Sequence, residues 1–361
     1  MKKILALALI GMMSTGLLAG CGSVAKASGA GSSEKSATTS DSKATKDVKK
    51  IDKLNVYFVP SKDPTEIVTA TEPLKQLLQQ ELLKEGYNVA DVEITVGTTY
   101  EAVGEALSAG TADVGFIPGG TYVLYDDGAD VILTATRSGL NKDSENAKDW
   151  NDGQATQKTT TQAVSYRGLV IAGPSQKGQE LAKKVNSGEK LTWDDLNGAS
   201  WAVMSSSSSA GYIYPSLWMQ DNFKKGITDL SNAVQSDSYG SSFARLASGQ
   251  VDLLVTYADA RTDYASKWTT DYGRSNSIWA ETNVIGVTKP IYNDTISVSK
   301  TSKIMDKSFK NAIQTAMINI AKTDDGKKVI AIYSHEGYKI AKSSDYDNER
   351  AAQKTIQATK K

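Results

Sequence analysis

Apolar positions along this chain alternate between strand-type and helix-type runs. Residues 54–59 read as a strand that ends in the turn residues Pro60-Ser61-Lys62-Asp63-Pro64. Leu74, Leu77, Leu78 and Leu82 follow at helical spacing, with Thr71 and Pro73 suited to the helix start and Gly86 to its end. Residues 92–96 alternate as a second strand, and residues 166–172 form an apolar run closed by Gly173-Pro174. Leu181 and Val185 mark another helix, residues 201–204 another strand, and Ile213, Leu217 and Trp218 an amphipathic segment. Phe309, Ile313, Ala316, Met317 and Ile320 predict a long amphipathic helix, followed by a charged tail with Tyr333, Tyr338 and Tyr346. Residues 138–161 are polar, lack the ligand spacing of a calcium loop, and read as an exposed excursion.

A repeat decides the architecture. Thr99-Tyr100, Ala106-Leu107, Gly110 and Asp113 are matched at one constant offset by Ser238-Tyr239, Arg245-Leu246, Gly249 and Asp252. In each copy the hydroxyl residue suits a helix N-cap, the glycine a left-handed C-terminal position, and the aspartate the turn into a strand. So long a period implies two similar α/β lobes rather than a solenoid. The charged tail is expected to pack on the first lobe.

Between the strand at 201–204 and the amphipathic segment stand Ser205, Ser206, Ser207, Ser208 and Ser209, then Ala210-Gly211-Tyr212. A strand that hands over to a helix through small polar residues forms an anion site, because the first N–H groups of a helix lack intrahelical partners and carry its positive dipole end. Each serine adds a hydroxyl donor. The bland alternative is a low-complexity linker. Pro215 cannot donate to a helical ladder, so the helix begins after Ser209 or is kinked.

Composition narrows the chemistry. The 361 residues are 40% hydrophobic and 23% charged, with 41 basic against 41 acidic side chains, which leaves no basic field for nucleic acid or an anionic membrane surface. One Cys and one His exclude disulfide frameworks, Cys/His metal sites and most thiol or imidazole catalysis. No nucleophile elbow, dinucleotide fingerprint or paired-carboxylate motif stands in the required context, so no cofactor, metal or catalytic residue is assigned. The lone Cys closes a signal segment: Lys2 and Lys3, an apolar run over 4–18, then Ala19-Gly20-Cys21. Leu18-Ala19-Gly20-Cys21 resembles the bacterial lipobox, which makes Cys21 the lipidated first residue of the mature chain. Residues 22–50, rich in Gly, Ser, Ala, Thr and Lys, then form a flexible tether.

Pro60-Ser61, Tyr100, Gly119-Gly120-Thr121-Tyr122, residues 193–198 and Ser208-Ser209-Ala210-Gly211-Tyr212 together resemble the phosphate/phosphite/phosphonate family of ABC-transporter substrate-binding proteins, over roughly residues 54–346. The resemblance implies an α/β two-lobed periplasmic-binding-protein-like fold of type II, with the ligand cleft between lobes and two hinge crossings. It divides the chain into a signal peptide at 1–20, a lipidated tether at 21–51, a first lobe at 52–163 and 290–361, and a second lobe at 164–289. It implies a monomeric extracytoplasmic lipoprotein, not an enzyme, that captures phosphate, phosphite or a phosphonate for an ABC permease and meets the membrane through its anchor only. Sulfonate, nitrate or an organic amine are alternative ligands, and a lipid-anchored hydrolase the distant alternative. Two departures stand out: Ala210 replaces the family's third hydroxyl, and Ser238-Tyr239-Gly240 replaces Ser-His-Asp.

The expected ligand residues are Ser61, Tyr100, Tyr122, Ser207, Ser208, Ser209, Tyr239 and Asp259. The three tyrosines lie at strand-to-helix junctions, where phenols donate to oxyanions. With 16 Tyr against 5 Phe, packing is the competing explanation for each. Asp259 matches Gly120 in the repeat, which brings it beside the cleft. There it would favour ligands that carry a proton or an amine.

Overall fold

The computed structural model describes residues 48–359; the expected signal peptide, Cys21 and most of the expected tether lie outside the described residues. Twelve strands among them form two sheets: β1 (Lys49–Phe58), β2 (Tyr87–Val96), β3 (Val114–Ile117), β4 (Ala129–Leu140), β5 (Lys158–Ala163), β6 (Ser165–Ala172), β7 (Trp201–Val203), β8 (Ala233–Gln235), β9 (Leu253–Tyr257), β10 (Asn283–Tyr292), β11 (Thr295–Ser299) and β12 (Gly337–Ile340). The first sheet runs β12-β4-β11-β3-β1-β2 with β5 beside β4, and the second runs β10-β6-β9-β7-β8. The fold is a mixed α/β two-sheet architecture, with one sheet for each of the two expected lobes. The chain leaves the first sheet after Ala163, enters the second at Ser165, and returns between Tyr292 and Thr295.

The two lobes repeat one local solution. Thr99 caps the helix Tyr100–Ala109 and Ser238 caps Tyr239–Ala247, each through its hydroxyl. Gly110 and Gly249 then take φ of 76° and 75°, conformations an L side chain rarely adopts. Next, Asp113 Oδ2 accepts the Asn55 N–H at 2.7 Å, and Asp252 Oδ2 accepts the Ser200 N–H at the same 2.7 Å. Each aspartate thus ties the turn before a central parallel strand to the neighbouring strand, within β1 at Asn55 and just before β7 at Ser200. Phe58 and Phe116, on adjacent strands β1 and β3, stack with ring centroids 4.3 Å apart, and both are buried.

Three elements differ from their sequence expectation for identifiable reasons. Strand β1 begins at Lys49, before its apolar run, because its backbone pairs with β2 from Lys49 against Tyr87 while the side chains there stay largely exposed. The polar excursion at 138–161 is anchored: Trp150 is buried, and Asn151 Nδ2 donates to the Val284 carbonyl at 2.8 Å. The C-terminal helix, Asp347–Thr359, spans both lobes. Arg350 pairs with Asp126 at 2.6 Å on the first, while Ala352 and Ile356 join the apolar cluster of the second.

Candidate ligand-binding site

Residues at or just beyond the C-terminal ends of β1, β3, β7 and β9 line one cavity between the sheets. This is where open α/β sheets place ligands. The serine run builds its second-lobe wall. Ser208 is the N-cap of a wide first turn, Ser209–Ile213, that continues as the helix Tyr214–Phe223. The widening has a cause in the sequence. Pro215 has no N–H for the carbonyl four residues earlier, and that carbonyl, Gly211 O, instead accepts the Met204 N–H at 3.0 Å. The Ile213 N–H reaches back to Ser208 O at 3.0 Å.

The hydroxyls of the run divide between cleft and lobe contact. Ser208 Oγ accepts the Gly211 N–H at 3.2 Å and shares a 3.3 Å hydrogen bond with Tyr239 OH. Ser209 Oγ accepts the Gly120 N–H of the first lobe at 2.9 Å and donates to Glu349 Oε2 at 3.3 Å. Ser207 Oγ accepts from Thr121 Oγ1 at 3.2 Å, and Ser205 Oγ donates to Glu101. The backbone closes the same gap: the Tyr239 N–H donates to Ser61 O at 3.2 Å. The lobes are therefore drawn together by a row of hydrogen bonds.

Five tyrosines, Tyr100, Tyr166, Tyr239, Tyr257 and Tyr333, line the cavity together with Lys62, Arg137 and Asp294. Burial pushes all five phenols above their ordinary value, so they stay neutral. Tyr257 OH donates to Asp263 Oδ2 at 2.6 Å and Tyr333 OH to the Val59 carbonyl, which leaves Tyr100, Tyr166 and Tyr239 to donate to a ligand. Lys62 Nζ donates to Tyr257 OH and to Asp263 Oδ2, both at 2.9 Å. The Arg137 guanidinium lies 4.5 Å over the Tyr166 ring, and its Nη2 is 3.5 Å from Asp294 Oδ2. Its Nε is buried with no hydrogen-bond partner among the described residues. His335 Nε2 sits 3.2 Å from the same Asp294 oxygen. Burial holds the His335 imidazole below its usual value, hence neutral.

The site therefore offers neutral hydroxyl donors and two cations inside a mostly aromatic wall, the chemistry that holds a small oxyanion with an organic substituent. Residues 56–346 match the family described as "ABC transporter, phosphonate, periplasmic substrate-binding protein". The chain belongs to this family. Among solved structures, the binding component of the ABC phosphonate transporter of Pseudomonas aeruginosa is 13% identical, with a TM-score of 0.62 over 86% of this chain and 88% of that one. PhnD1 of Prochlorococcus marinus, solved with methylphosphonate, is 13% identical, with a TM-score of 0.59 over 84% and 98%. The alkanesulfonate-binding protein SsuA of Xanthomonas axonopodis pv. citri, bound to MOPS, is 12% identical, with a TM-score of 0.51 over 86% and 94%. At such identities these likenesses speak for the fold alone. No match to this chain is found among curated proteins.

In this phosphonate-family chain, five of the expected ligand residues, Ser61, Tyr100, Ser208, Ser209 and Tyr239, line the cavity. Three other expected residues are placed elsewhere. Tyr122 is buried away from it, with its OH donating to Ser343 Oγ at 3.1 Å and its ring edge-on to Tyr346. Ser207 is fully buried against Thr121. Asp259 caps the helix Ala260–Thr270, pairs with Arg261 at 2.9 Å and accepts from Thr156 at 2.7 Å, so both carboxylate oxygens are engaged. It lines a neighbouring cavity instead. The sequence reading missed Lys62, Arg137, Tyr166, Tyr257, Asp294 and Tyr333. Arg137 carried a signal, since a lone charge closes the apolar run of β4.

Proposed function

We propose that this chain is the extracytoplasmic binding component of an ABC importer and captures a small phosphorus oxyanion, a phosphonate, phosphite or phosphate, between its lobes. The observation that carries the reading is the convergence of Ser208, Tyr100, Tyr239 and Arg137 on one buried cleft at the ends of the parallel strands. Three to five charge-assisted hydrogen bonds, each contributing about 1.5 to 3 kcal/mol, reach the roughly 8 kcal/mol of micromolar binding after the cost of association. Closure by hinge rotation about the two crossings then presents the loaded protein to a membrane permease.

Family membership makes the chain a substrate-binding transport component with an extracytoplasmic place of work. No helix among the described residues is long and apolar enough to cross a membrane. Attachment through lipid on Cys21 and a monomeric state complete the proposal. A thermal-shift series with methylphosphonate, phosphite and phosphate, each followed for product, tests it. Stabilisation without turnover is the expected result, and turnover of any of the three contradicts it.

A further inference from the structure

Asp294 is the only acidic side chain lining the cleft among the described residues. It stands on the return crossing between β10 and β11, behind neither a helix cap nor a surface loop. Both of its hydrogen-bond partners, Arg137 Nη2 at 3.5 Å and His335 Nε2 at 3.2 Å, meet the same oxygen, Oδ2. Oδ1 has no hydrogen-bond partner among the described residues. Burial alone would raise this carboxyl, yet the hydrogen bond from His335 and the charge of Arg137 hold it below the usual range, so it stays ionised and can only accept. Since an ionised Asp accepts, His335 Nε2 carries the proton, and its Nδ1, 3.3 Å from Tyr338 OH, takes the phenol's.

Charge in the cleft is balanced rather than strongly positive. Lys62 is matched by Asp263, and Arg137 by Asp294. A carboxylate facing an oxyanion repels it unless the ligand brings a proton to the shared position.

Resting on the phosphorus-oxyanion reading above, we propose that Asp294 is a specificity-determining residue that accepts the P–OH hydrogen of a singly protonated phosphonate or phosphate. Oxyanions of equal size and charge that lack this hydrogen are excluded. The sequence had pointed to Asp259 for such a filter, but the carboxylate of that residue is consumed by Arg261 and Thr156. Asp294 has the free acceptor and the cleft position together.

Methylphosphonate and methanesulfonate make the test sharp. Below the second ionisation of the phosphonate both are tetrahedral monoanions carrying one methyl group, and only the phosphonate has an O–H. Calorimetry on the wild-type mature chain should show methylphosphonate binding about a hundredfold more tightly. Asp294→Asn should shrink the preference to below about tenfold, chiefly by a gain for methanesulfonate, because the amide donates where the carboxylate cannot. Should the amide variant unfold, Asp294→Ser carries the same comparison with a hydroxyl that both accepts and donates. An unchanged preference in the folded variant overturns the proposal, as does comparable binding of the two ligands by the wild type. Binding of neither ligand overturns it, and the reading on which it rests falls too if phosphite and phosphate also fail to bind, whereas tight binding without discrimination overturns it alone.

Discussion

Tyr214 donates its phenol hydrogen to Glu349 Oε1 across 2.6 Å, joining a helix of the second lobe to the C-terminal helix inside a fully buried contact. The other carboxylate oxygen takes the hydroxyl of Ser209. The same C-terminal helix holds the first lobe through Arg350 with Asp126 and through Gln353 Nε2 on the Gly120 carbonyl at 3.3 Å. The C-terminal helix and the serine run therefore meet at one carboxyl group, and the first lobe joins them through the Gly120 N–H on Ser209 Oγ.

That carboxyl gives a pH prediction. Burial pushes Glu349 up from its ordinary 4.5 to about 7, against the opposing hydrogen bonds from Tyr214 and Ser209. The folded protein binds this proton more tightly than the unfolded chain does. The resulting stability is complete below the ordinary carboxylate range and is lost as pH rises towards about 7. Denaturant unfolding of wild type and Glu349→Gln across this window should show the wild type losing more stability with rising pH than the variant. Parallel pH profiles would rule out Glu349 as the responsible group.

Gly120 predicts how closure is enforced. A Cβ added there would lie 2.8 Å from the Ser207 carbonyl and 2.9 Å from Ser209 Oγ, and would collide with the tip of Ile213, all on the opposite lobe. Because the clash exists only when the lobes meet, Gly120→Ala should weaken ligand binding by about 1 to 3 kcal/mol, the usual cost of overpacking. Small-angle scattering with saturating methylphosphonate should show a larger radius of gyration than the wild-type complex. Wild-type affinity and radius would contradict this account of closure.

The serines should separate by role. Ser208 faces Tyr239 and caps its own helix, so Ser208→Ala should cost about 1.5 to 3 kcal/mol of binding to a charged ligand and about 1 kcal/mol of stability. Ser209 already gives its proton to Glu349 and accepts from Gly120. Ser209→Ala should therefore cost less affinity than Ser208→Ala. Paired titrations and thermal melts check the order, and the reverse order would reassign the ligand contact to Ser209.

Cys21, the only cysteine of the chain, carries the anchoring prediction. Cys21→Ser should abolish lipid labelling and release the protein from membranes, because acyl chains bind at about 0.8 kcal/mol per buried methylene. Intact-mass analysis of wild-type protein from membranes should find lipid on this residue; unmodified Cys21 would contradict the assignment.

Local chemistry was legible in the sequence wherever its partners were close along the chain. The caps Thr99 and Ser238, the left-handed Gly110 and Gly249, and the anchors Asp113 and Asp252 follow from rules that span a few residues, and so the duplicated lobe could be read directly. The serine run could be placed because a strand precedes it and an amphipathic segment follows. Arg137 and Asp294 could not be paired, since 157 residues separate them and only the two crossings bring them together. Glu349 sat in a charged tail, where only the apolar spacing of Ala352 and Ile356 hinted at a buried face. Asp259 shows the converse: repeat logic pointed to a place beside the cleft, but the residue lines a neighbouring cavity, and the partner that engages its carboxylate, Arg261, stands only two residues along the chain.

The central claim, that the cleft takes a phosphorus oxyanion, is tested most directly by isothermal titration of the mature wild-type chain with methylphosphonate, phosphite, phosphate and sulfate in one buffer. At least one phosphorus oxyanion should bind in the micromolar range or tighter with one-to-one stoichiometry, and sulfate should bind far more weakly. Sulfate binding as tightly as the best phosphorus ligand, or no binding of any phosphorus oxyanion, would contradict the account.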